Sequence, residues 1–153
     1  MNHTIILLVI VFLALYFGYP KYEEYRFVEE VREQIRTGHT EMPEFTGLPI
    51  KATLTEDYPL TLMTFHLTDL AYHDLSPAIK IQLRKQIKAI PCRNLHVFEE
   101  ASQAYVKALT QVYEEDNKMM KIMLRDKHDE YIMDHSQLIS ECSQFSELKR
   151  KSL

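Results

Sequence analysis

Apolar and polar positions divide this chain into one uniform run followed by several periodic stretches. The run, Thr4–Tyr19, is sixteen residues without a charge. As a helix it would span about 24 Å at 1.5 Å per residue, slightly short of the ~30 Å of a bilayer core. Tyr16 and Tyr19 suit an interfacial aromatic belt, and Lys21 can snorkel. No Lys or Arg precedes the run, and Ala14 stands alone where a cleavage site would want paired small residues. The pattern therefore predicts an uncleaved signal-anchor over residues 1–20 and a single helical domain over 21–153.

Lys21–Arg36 carries Tyr22, Tyr25, Val28, Val31 and Ile35 at helical spacing and should stop near Thr37-Gly38. Residues 39–58 hold Pro43, Gly47 and Pro49 and read as a loop, with a short extended piece at 51–55. Asp57 and Pro59 predict a helix over 59–74. Ser76-Pro77 predicts another, with Ile79, Leu83, Ile87 and Ile90 on its apolar face and Pro91 as its end. Phe98, Ala101, Tyr105, Ala108 and Val112 keep a three-four spacing. The pattern lapses at 114–118, resumes at Met119–Leu124, lapses at 125–130, and resumes through Tyr131, Leu138, Cys142 and Phe145. The expected fold is all-α: an N-terminal membrane helix plus a small helical body of four to five helices, closed by a C-terminal antiparallel helix pair.

Composition supports a folded body, with 46% hydrophobic and 26% charged residues. Only three glycines argue against a many-stranded fold, which needs frequent turns. A net charge of −4 gives no footprint for nucleic acid. The charge is also unevenly placed. Residues 41–76 carry six acids against one Lys, 77–98 five bases and no acid, and 99–117 five acids against one Lys. These blocks can pair with each other or stay solvated.

Cys92 and Cys142 lie 50 residues apart, with Asn117 at the midpoint. A hairpin turning at Asp116-Asn117 would bring them level, and a disulfide there would need an oxidising compartment. Two unrelated free thiols fit the sequence equally well. The cysteines thus favour a body outside the cytoplasm, whereas Lys21, Arg26, Arg32 and Arg36 after the apolar run count for the cytoplasmic side.

Candidate chemistry is sparse. His66, Asp69 and His73 fall near one face of the expected 59–74 helix and are weak metal candidates, because two full turns separate the histidines by about 10 Å. Asp126, His128, Asp129, Asp134 and His135 form a polar cluster without an HExxH arrangement and read as a solvated loop. Lys80, Arg84, Lys85 and Lys88 form a basic stripe on the 77–90 helix, suited to an anionic surface or to the acidic blocks. Met119, Met120, Met123 and Met133 supply adaptable apolar surface. No motif names a family, a catalytic residue or a cofactor.

The sequence thus points to a membrane-anchored, non-enzymatic scaffold, accessory subunit or adaptor. It would touch the membrane through residues 4–19 and a protein partner through its helix surfaces. One alternative is a membrane-tethered extracytoplasmic binding or inhibitor module with a disulfide-closed helical hairpin. A second is a metal-dependent enzyme using His66, Asp69 and His73.

Overall fold

The computed structural model describes residues 3–38 and 49–152, with side chains from Gly18 onward except that of Asn94. In chain order the elements are α1 (His3–Thr37), β1 (Ile50–Asp57), β2 (Leu60–Leu67), α2 (Pro77–Arg93), α3 (Gln103–Glu115), β3 (Met119–Arg125), β4 (Tyr131–Leu138) and α4 (Ser143–Lys151). Short 3-10 turns at Tyr72–Asp74, Asn94–Phe98 and Ile139–Glu141 link them. The strands form one mixed sheet in the order β1-β2-β3-β4. Its outer pairs are antiparallel hairpins and its central pair, β2 with β3, is parallel.

The fold is therefore α/β, and the all-α expectation is corrected. The stretch expected as a helix over 59–74 contains strand β2. Thr61, Met63, Phe65 and Leu67 are buried while Leu60, Leu62, Thr64 and His66 are half exposed, a period of two. Met120, Ile122 and Leu124 repeat that alternation in β3. The expected C-terminal helix pair is thus replaced by α3, the β3–β4 hairpin and α4. The chain does turn after α3, with Asn117 at φ 52°, but it turns into a strand.

One sheet face carries the core. Met63, Phe65, Leu67, Met120, Ile122 and Leu124 pack with Leu83, Ile87 and Ile90 of α2 and with Phe145 and Leu148 of α4. The helix α2 runs through Pro91 rather than ending there. Pro91 is buried and has no N–H to give the Ile87 carbonyl, so the last turn of α2 lacks that hydrogen bond. Ser76 caps the helix start, its Oγ accepting from Ile79 N at 3.4 Å, and Ser102 does the same for α3 through Tyr105 N at 3.3 Å.

The long α1 packs on α3 through Val28 and Val31 against Ala108, Leu109 and Val112. Polar contacts fix this docking. Arg32 donates to Asp116 at 2.9 Å, to Glu115 at 2.6 Å and to Glu29. Asp116 also accepts from the Tyr58 hydroxyl, so one carboxylate ties α1, the β1–β2 turn and the end of α3 together. Partial burial works against the Arg32 charge, but its hydrogen bonds to Glu29 and Asp116 outweigh that and raise its pKa above the ordinary arginine value. Tyr58 is raised too, by burial and then by its bond to Asp116.

The expected membrane span is also corrected. Among the described residues, no helix is long and apolar enough to cross a membrane. The expectation of a single-pass membrane protein falls with that finding. The side chains of residues 4–17, most of the expected anchor, lie outside the described residues. Length is the physical reason: sixteen uncharged residues reach about 24 Å against a ~30 Å core. Beyond them α1 continues directly into Lys21, Glu23, Glu24 and Arg26, all exposed.

Candidate functional site

The outer face of α2 carries a cluster of basic side chains. Leu83, Ile87 and Ile90 face the core, which turns positions 81, 84, 85 and 88 outward at helical spacing. Arg84, Lys85 and Lys88 are exposed, and Ile81 among them is 71% exposed. Lys80 lies beside this group with Nζ 4.0 Å from the centre of the Tyr72 ring, a cation–π contact.

Among the described residues, no ion pair joins the acidic blocks to this stripe. Glu114 pairs with Lys149 at 2.6 Å, and Glu115 and Asp116 with Arg32. Among the described residues, no ion pair involves Lys80, Arg84, Lys85 or Lys88.

The metal candidates are scattered. His66 lies on the open sheet face, with Nδ1 3.4 Å from Asp129 Oδ1. Asp69 sits in the bend that follows β2, and His73 pairs with Asp74 at 3.3 Å. Among the described residues, no group of three or more His, Cys, Asp or Glu could hold a metal ion. The helix that would have aligned His66, Asp69 and His73 is absent, so their shared face is absent too.

Cys92 and Cys142 form a disulfide, with their Cα atoms 5.5 Å apart. It joins the last turn of α2 to the residue before α4. The bridge therefore braces the helix that presents the basic face. Comparison with protein-family models, curated proteins and solved structures returns no match.

Asp126, expected in a solvated loop, is 2% exposed and organises the β3–β4 turn. Its carboxylate accepts from the backbone N–H groups of His128 at 2.8 Å, Glu130 at 3.0 Å and Tyr72 at 3.3 Å. Burial acts to raise its pKa, and the three N–H donors outweigh it and hold the pKa below the usual aspartate value. The contact with Tyr72 links this turn to the ring under Lys80. The sequence hint was the Asp-x-His spacing of an Asx-turn.

A carboxylate whose folded pKa is depressed contributes stability that is present above its unfolded value of about 3.9 and lost as pH falls through the folded value. Asp126→Asn should therefore melt at a lower temperature than wild type at pH 6, and the gap should narrow below about pH 3.5. Thermal melts of both proteins across that range test it. A gap that stays constant with pH would show that the ionised carboxylate contributes nothing.

Proposed function

We propose that this chain is a non-enzymatic binding domain, acting as a scaffold, accessory subunit or adaptor, whose contact surface is the basic outer face of α2. Its partner presents acidic side chains. One observation carries this reading: Arg84, Lys85 and Lys88 stand exposed and without an ion pair among the described residues, while acids of the flanking blocks pair elsewhere. Solvated single charges are ordinary, but a cluster of one sign around an exposed Ile81 fits an interface that steers by charge and then buries an apolar centre. The disulfide supports a binding role in an oxidising compartment, where such bridges persist.

The test is binding of the purified chain to a polyglutamate peptide at low and high salt. Wild type should bind at low salt and release as salt rises, because screening shortens the reach of surface charge. The triple variant Arg84→Glu, Lys85→Glu, Lys88→Glu should bind at least about tenfold more weakly with an unchanged melting temperature. Equal binding by the two proteins would place the contact elsewhere.

A further inference from the structure

A cavity lies where the end of α1, the Asn94–Phe98 turn and α3 meet the start of the β2–β3 seam. Its volume is about 340 Å³, at the lower end of the ~300–1,000 Å³ typical of small-molecule sites. The walls are mostly apolar and include Ile35, Leu95, Phe98, Tyr105, Tyr113 and Met120. Val97, 73% exposed, stands at its rim.

Two polar side chains interrupt this lining at the sheet end. Thr61 is 0% exposed, and among the described residues its Oγ1 has no hydrogen-bond partner. Buried hydroxyls are nearly always satisfied, so an orphaned one on a residue that lines a cavity marks a missing partner. Lys118 also lines the cavity, with Nζ 5.1 Å from the centre of the Tyr58 ring. Desolvation lowers its pKa, while the charge of Glu56 acts the other way. The two residues are close along the strand register, because Leu60 and Thr61 of β2 pair with Met119 and Met120, the residues directly after Lys118.

We infer that this cavity binds a small amphiphilic carboxylate of fatty-acid type, its chain among the aromatic walls and its head at Thr61 and Lys118. The carboxylate would accept a hydrogen bond from the Thr61 hydroxyl and a charge-assisted one from the Lys118 ammonium. The chain would run toward Val97 and remove that side chain from water. The acidic-partner surface on α2 is a separate feature, and neither reading depends on the other.

The experiment is calorimetric titration of the full chain with decanoate, with decanol as the uncharged control. Saturable binding at one site is expected, with decanol at least about tenfold weaker, since a hydrogen bond to a charged group carries roughly that discrimination. Lys118→Met should weaken decanoate binding about tenfold or more. Thr61→Val keeps the shape and deletes the hydroxyl, so it should weaken binding without lowering the melting temperature. No saturable binding of decanoate, equal binding of decanol, or unchanged affinity in the folded Thr61→Val protein would each overturn the assignment.

Discussion

Removing the Cys92–Cys142 bridge by the paired substitution Cys92→Ala and Cys142→Ala should cost about 4 kcal/mol of stability. The bridge closes a loop of 50 residues that contains α3, β3 and β4. Without it the unfolded chain regains the freedom of that loop, while the folded chain loses little contact. Such a loss is a large share of the roughly 5–15 kcal/mol that a domain of this kind holds in reserve. Urea unfolding should show it as a lower midpoint. Wild type in excess reductant should approach the same midpoint, because the loop is released in either case. If reductant leaves the wild-type midpoint where it was, the bridge is not formed in solution and the argument fails. Thiol labelling of unreduced native and urea-unfolded protein gives the direct count, with no labelling expected in either.

Phe65→Ala should cost about 3–5 kcal/mol, the range for deleting a buried aromatic ring. Phe65 is 0% exposed. In register it lies between Ala52 of β1 and Leu124 of β3, at the centre of the sheet face that carries the core. Ala52 is too small to fill the space from its side. The neighbouring Met63 and Leu67 are held by their own packing, so the cavity would persist rather than collapse. Phe65→Leu keeps most of the volume and should cost less than half as much. Chemical denaturation of the two variants beside wild type decides it; equal effects would mean that ring volume is not what the site needs.

Helix punctuation was legible in the sequence. Gly38 after α1, Ser76-Pro77 at the start of α2 and the three-four spacing of α3 all mark elements that the structure contains. The strands were hidden for a specific reason. In β2 and β3 the open face also carries apolar residues, Leu60, Leu62, Met119 and Met123, so the period of two is masked by residues that are only half buried. The glycine argument misled as well. Its premise is that turns need glycine, but the left-handed positions here are occupied by Asn117 and Asp129, at φ 52° and 63°.

The candidate sites divide along the same line. The basic stripe of α2 was readable because all its members share one helix. The contacts of Arg32 with Asp116, of Asp126 with Tyr72, and of Thr61 with the cavity beside Lys118 were not. Each joins residues more than 50 positions apart, and only the sheet order brings them together.

The parallel seam between β2 and β3 imposes an order of assembly on the chain. Each hairpin can close locally within microseconds, but the seam must wait until everything from Thr68 to Lys118 has been placed. During synthesis β2 therefore leaves the ribosome long before its partner exists. Leu60–Leu67 contains no proline and no Asp, Glu, Lys or Arg, and its free edge is then open to any other extended segment. The nascent chain is at its most vulnerable to aggregation in that interval, because α2 packs against β3 and β4, which have not yet been made.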